Sequence, residues 1–162
     1  MRFSPLSLGL ALAASTIAAP SLASLQAVDP ASKALVERAE AQLKAGDFVA
    51  ADDTLEAALV LDPKNGDAFT AMAKVAIKQK LYGQAIKYGR KALTIDPTDR
   101  AALAVQGEAM VELGALGRAR QNLDKLAKLC PDNCTERQQL SAVIERGPVM
   151  AQAKTGDAPK AN

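Results

Sequence analysis

The stretch Leu61-Asp62-Pro63 recurs as Ile95-Asp96-Pro97 and again as Leu129-Cys130-Pro131, each time 34 residues further on. Sliding the chain by that interval lays Ala39 on Ala73 and Gly107, Ala51 on Ala85 and Ala119, and Ala58 on Ala92 and Leu126. Phe48 falls on Tyr82 and Leu116, and Gly46 falls on Lys80 and Gly114. A fixed period of this length marks an array of stacked units, none of which buries its apolar face alone.

Each unit holds two helical stretches. Asp29-Pro30 is a helix entrance, a capping side chain followed by proline in the first turn. The first helix is expected to reach about Ala45, where Gly46-Asp47 ends it and starts a second, Phe48 to Leu61. The next unit repeats this over Asp67 to Gln79 and Tyr82 to Ile95, the third over Arg100 to Leu113 and Leu116 to Leu129. Two helices joined by a short turn approach closely only where side chains are small, so the aligned alanines are expected at contacts between helices. Thr135 to Arg146 is one further helix, with Leu140, Val143 and Ile144 on one face and Arg137, Gln138, Glu145 and Arg146 on the other. A stacked array needs such a terminal element with a wet outer side, and Gly147-Pro148 stops it.

Composition agrees with helices. Alanine, the best helix former, makes up 34 of the 162 residues, while aromatics are 3%. There is no histidine, which removes the usual acid–base group and the commonest metal ligand. Ser–His and Cys–His nucleophile pairs are therefore excluded, and no phosphate-loop or hydrolase motif is present. Asp52 and Asp53 are adjacent, so they point in different directions on a helix and read as a solvated helix start rather than an acid–base pair. With 20 Lys and Arg against 18 Asp and Glu, nothing draws the chain to nucleic acid.

The repeat resembles the tetratricopeptide repeat (TPR), a 34-residue helix–turn–helix family with the pattern W-x2-L-G-x2-Y, A-x3-F and P. The A-x3-F part appears as Ala51-x3-Leu55, Ala85-x3-Gly89 and Ala119-x3-Leu123, and the proline is present three times. The first part is degenerate: Leu35-x2-Arg38-Ala39, Phe69-x2-Met72-Ala73 and Leu103-x2-Gln106-Gly107. Gly89, where the family prefers Phe, suggests a shallow spot. The resemblance covers about residues 30–131. It implies an all-α fold, a right-handed superhelical solenoid of three hairpins (about 32–65, 66–99 and 100–133) plus a capping helix at 135–146.

The resemblance also implies a concave face, lined by the first helix of each pair, that holds a partner's peptide or helix. Matching positions are Lys33, Val36, Glu40, Leu43 and Lys44; Asp67, Thr70, Lys74, Ile77 and Lys78; and Ala101, Ala104, Glu108, Val111 and Glu112. Lys74 and Lys78 share a helix face, as do Glu108 and Glu112. The expected groove has a basic middle, an acidic end and an apolar floor of Leu43, Ile77 and Val111; the alternative is that the charges only pair with one another. The Lys/Asn set that grips C-terminal carboxylates in some chaperone-binding members is not reproduced, because Glu40 and Glu108 stand where Asn is expected.

Residues 1–23, MRFSPLSLGLALAASTIAAPSLA, combine Arg2, an uncharged, mostly apolar run and small residues at Ser21 and Ala23. This is the pattern of a secretory signal peptide cleaved after Ala23; an uncleaved anchor or a cytoplasmic N-terminus are the alternatives. No cysteine stands near the cleavage point to carry a lipid anchor. The domain would then span 24–146, without stable membrane insertion, followed by a disordered tail over 147–162. In an oxidising compartment Cys130 and Cys134 read most simply as a structural disulfide. A redox-active pair, with Cys134 near a helix N-terminus, or a soft-metal site are the alternatives.

The expected function is a non-catalytic interaction module or scaffold that binds another protein, exported to the periplasm, with no cofactor. The second reading is a thiol–disulfide or metal-handling protein using Cys130 and Cys134, and the third is a scaffold that self-associates. The oligomeric state is left open.

Overall fold

Four side chains start the helices of the array. Asp29 accepts hydrogen bonds from the N–H groups of Ala31 and Ser32, with Pro30 in the first turn. Asp47, Asn65 and Asp99 accept from Ala50, Ala68 and Ala102, each three residues on. Such a cap stabilises a helix by about 1 kcal/mol. The computed structural model describes residues 27–132 and 134–149. The expected signal peptide, and residues 150–162 of the expected tail, lie outside them.

Among the described residues there are seven helices and no strand: α1 (Pro30–Ala45), α2 (Phe48–Leu61), α3 (Gly66–Lys78), α4 (Tyr82–Ile95), α5 (Arg100–Glu112), α6 (Leu116–Leu129) and α7 (Thr135–Arg146). The bounds differ from the sequence reading by a single residue at α3 and at the end of α5. α3 begins at Gly66 because Asn65, not Gly66, supplies the cap. No helix among the described residues is long and apolar enough to cross a membrane.

Helices α1/α2, α3/α4 and α5/α6 pack as three hairpins, and α7 lies against α5 and α6. The first helices also touch in series, α1 to α3 to α5 to α7, and so form one continuous layer. The nine positions aligned by the repeat, from Ala39 to Leu126, are all buried. Phe48, Tyr82 and Leu116 are all half-buried. Equal spacing in the chain has thus become equal environment in space, which a bundle without a repeat would not require.

Turns carry the repeat too. Gly46 (φ 82°), Lys80 (φ 61°) and Gly114 (φ 76°) all adopt the left-handed conformation between paired helices. Glycine does so freely, whereas a residue with a Cβ carries a cost of about 1 kcal/mol.

Two glycines set helix spacing. A Cβ on Gly89 would stand 2.8 Å from Gln106 Cβ, so α4 and α5 are in close contact there. The expected shallow spot is instead filled from the facing helices. Gln106 is buried, its Nε2 donates to the Ile86 carbonyl at 3.4 Å, and its Oε1 accepts from Asn122 Nδ2 at 3.0 Å. Asn122 Nδ2 also donates to the Leu103 carbonyl at 3.0 Å. At Gly107 a Cβ would come within 2.7 Å of both Leu140 methyl groups. The third copy of the Ala39 position therefore lacks a side chain where α7 seats Leu140 against Leu103 and Leu126.

A disulfide joins Cys130, the C-cap of α6, to Cys134, the N-cap of α7, with Cα atoms 5.7 Å apart. Both cysteines are buried. The far end of α7 is held as well. Glu112, with a side chain only 4% exposed, accepts from Arg146 Nη2 at 2.8 Å and from the Val149 N–H at 3.0 Å. The first residues of the expected tail, 147–149, are thus ordered on the end of α5, through a buried carboxylate that the sequence pattern did not single out.

Candidate functional site

The inner layer of first helices presents a continuous groove. One cleft, of about 290 Å³, lies between α1 and α3 and is lined by Lys33, Val36, Glu37, Glu40, Asn65, Asp67, Thr70, Lys74 and Ala101. A second, of about 350 Å³, lies between α3, α5 and α7 and is lined by Lys74, Ala101, Ala104, Val105, Glu108, Thr135, Glu136, Gln139, Leu140 and Val143. Lys74 and Ala101 belong to both, so the clefts meet. Small residues at 101 and 104 keep the floor low where they join.

The repeat period also organises the charges. Lys74 Nζ is 3.1 Å from Glu40 Oε1, and Arg146 is paired with Glu112. Both pairs link residues 34 apart. Equivalent positions of successive first helices face each other, so opposite charges in the aligned column meet across the layer. The Arg146 pair extends this register into α7, which stands as the first helix of a fourth unit as well as a cap.

Of the expected groove residues, Lys33, Val36, Glu40, Asp67, Thr70, Lys74, Ala101, Ala104 and Glu108 line the clefts. The apolar floor requires correction. Val111 is fully buried in the core, where it cannot meet a guest. Leu43 and Ile77 are half-buried and pack against core residues, and they line neither cleft. Each is drawn into the core cluster that joins neighbouring helices, which leaves it off the cleft walls.

The basic middle and acidic end are corrected too. Lys44 and Lys78 are exposed and line neither cleft. Lys74 is neutralised by Glu40. Glu112 is turned inward and held by Arg146 and Val149. The cleft walls carry Lys33 and Lys74 against Glu37, Glu40, Asp67, Glu108 and Glu136, so the groove is net acidic.

Two pairs of polar side chains hold the array in place along this face. Thr70 Oγ1 donates to Asp99 Oδ2 at 2.8 Å. Asn65 Nδ2 donates to Ser32 Oγ at 2.8 Å, and Ser32 Oγ donates to the Ala58 carbonyl at 2.8 Å. The capping residues Asn65 and Asp99 thus also bind the preceding first helix. Ser32 and Asn65, both fully buried, went unnoticed in the sequence because each is polar; a polar residue recurring at the repeat boundary was the available signal.

Glu108 is the unusual charge. It is half-buried, and burial lifts its carboxyl above the ordinary range; Lys78 and Arg146 pull it down, and Glu112 pushes it up. Asp52 and Asp53 line neither cleft. Burial first, and Asp53 second, raise the Asp52 carboxyl. Near the disulfide a Glu136 carboxylate oxygen stands 3.4 Å from Cys134 Sγ. Reactive thiolates sit in electropositive surroundings, and this carboxylate opposes one. Among the described residues no group of three or more potential ligands is placed to hold a metal ion.

Residues 36–100, most of the first two units, match the family model of the tetratricopeptide repeat. No curated protein matches the chain in sequence. Among solved structures, the first TPR of Spaghetti (RPAP3) bound to the HSP90 peptide SRMEEVD is 21% identical, with TM-score 0.64 over 77% of this chain and 94% of that one. The Sgt2 TPR domain from Aspergillus fumigatus is 18% identical, with TM-score 0.67 over 83% of this chain and 88% of that one. The second TPR domain of human RPAP3 in complex with the HSP70 peptide SGPTIEEVD is 25% identical, with TM-score 0.61 over 70% and 92%. The architecture is therefore a TPR-like all-α solenoid, three hairpins and a capping helix.

Proposed function

We propose that this chain is a non-catalytic receptor that holds a segment of another protein along the concave face of its solenoid. The observation that carries this reading is the continuous groove formed by α1, α3, α5 and α7, open along its length and floored by Ala101 and Ala104. Small floor residues let a guest backbone come close. Two of the similar solved structures hold short peptides, which supports a peptide segment as the guest.

The compartment proposed is the periplasm of a bacterium. It is supported by the signal-peptide pattern of residues 1–23 and by a disulfide, a bond that persists in oxidising compartments. N-terminal sequencing of the protein recovered from a periplasmic fraction is expected to begin at Ser24; recovery from the cytoplasm with Met1 in place overturns the assignment. The thiol-exchange reading loses ground to the structural one, because both sulfurs are buried and a carboxylate abuts one of them.

The test of the receptor reading uses a photo-crosslinking side chain placed in turn at Ala104, in the groove, and at Val60, 81% exposed on α2. A groove receptor yields one discrete adduct from position 104 and none from position 60. Adducts from 60 alone, or equally from both, defeat it.

A further inference from the structure

The charge of the groove points to the chemistry of its guest. Lys74 is already committed to Glu40, 3.1 Å away. In the cleft between α5 and α7 the remaining charged walls are Glu108 and Glu136. Glu108 has no hydrogen bond or ion pair among the described residues; Lys78, Arg146 and Glu112 act on it only through space. Lys78 and Arg146 favour its charge from a distance, but a half-buried carboxylate without a direct hydrogen bond remains unfavourable, and a charge-assisted hydrogen bond from a guest relieves that cost. The rest of the wall, with Ala104, Val105, Leu140 and Val143, is apolar. An apolar cleft with a carboxylate inside it matches a side chain that has a methylene stem and a cationic head.

We infer that the α5–α7 cleft receives a lysine or arginine side chain of the partner segment, with Glu108 binding the cation and the apolar wall packing its stem. The inference deepens the receptor reading and rests on it. It also separates this chain from the two peptide-bound neighbours, whose peptides SRMEEVD and SGPTIEEVD both end in acidic runs. Five carboxylates against two lysines would repel such a guest here. The sequence supplies one internal competitor, Lys154 and Lys160 in residues 150–162, which follow Val149 at the end of α5.

The experiment selects from a random nonapeptide display library on the immobilised full chain and measures the enriched peptides by fluorescence polarisation. Enriched peptides are expected to carry Lys or Arg. Replacing that residue by Glu in the peptide, or Glu108→Gln in the protein, is expected to weaken binding roughly tenfold, a loss typical of one charge-assisted contact. Glu56→Gln, on the exposed side of α2, is expected to leave it unchanged. Enrichment of acidic or neutral peptides, or indifference to Glu108→Gln in a variant with native circular dichroism, overturns the cationic guest and leaves the receptor reading standing. Binding that appears only in the full-length variant Lys154→Ala/Lys160→Ala assigns the cleft to the chain's own tail and overturns the inference. No enrichment in either form overturns the receptor reading as well.

Discussion

The two ends of this solenoid are built differently. At the first hairpin, α1 buries only Ser32, Val36 and Ala39, and its charge pair to α3 joins two side chains that are each about 40% exposed. At the last, α5 buries nine of its thirteen residues, and α7 is fixed there by Leu140, by a disulfide and by a buried carboxylate. In an array where each unit touches only its neighbours, stability is close to a sum of local interfaces. Although α7 itself buries only Leu140, these links make the C-terminal end the expected platform, and the groove runs from it toward α1. A guest cleft formed by α5 and α7 is then expected to be pre-organised, and one formed by α1 and α3 to adjust.

The largest test of that contrast is Leu140→Ala. Emptying this fully buried seat is expected to cost about 3 kcal/mol in urea unfolding and to raise amide exchange in α7 and α5 while α1 and α2 stay as they were. Equal acceleration at both ends would mean that the array is one cooperative unit without local ends. Cys130→Ser with Cys134→Ser is next. Opening so short a loop is expected to cost about 2 kcal/mol, and α7 should then exchange as readily as α1. Unchanged protection in α7 would assign the platform to packing alone.

The two 34-residue charge pairs give a smaller, paired comparison. Glu112→Gln removes an acceptor that is almost wholly buried and holds two donors, so about 1.5 kcal/mol is expected. Glu40→Gln breaks an exposed pair and is expected to cost under about 0.5 kcal/mol, fading further in salt. Equal costs would contradict the burial difference. Between the ends, Lys80→Gly relieves a left-handed turn and is expected to raise stability by about 1 kcal/mol.

The smallest effect is a pH dependence. The Glu108 carboxyl is raised in the folded chain, chiefly by burial, so the folded state binds its proton more tightly than the unfolded state. Stability contributed by this residue is then greatest when it is protonated and falls as the pH rises through the window above the ordinary glutamate range. Glu108→Gln is expected to remove that slope and leave the protein slightly more stable at neutral pH, measured as urea midpoint against pH. A residue whose loss strengthens the fold and weakens guest binding is one that serves the groove.

The array itself was legible in the chain. Three prolines and nine aligned small or apolar positions set the helix bounds almost to the residue, because capping side chains, prolines and the 34-residue period act locally. The turn position shared by Gly46, Lys80 and Gly114 was visible in the alignment, and the backbone there is left-handed in all three. Less of the groove could be read. Glu40, Lys74, Ala104 and Glu108 line its clefts, but Val111 is buried, Leu43 and Ile77 pack partly buried against the core, and Glu112 is claimed by Arg146 and Val149.

What the sequence determined alone was the repeat, since periodicity needs only local helix preference and the demand that each unit bury one face against the next. What the tertiary structure decided was the sign of the groove and the second role of α7. Both depend on which charges meet across helices, whether Lys74 reaches Glu40 and whether Gly107 lets Leu140 in. Distances between side chains on separate helices follow from how the hairpins stack, and no spacing along the chain encodes them.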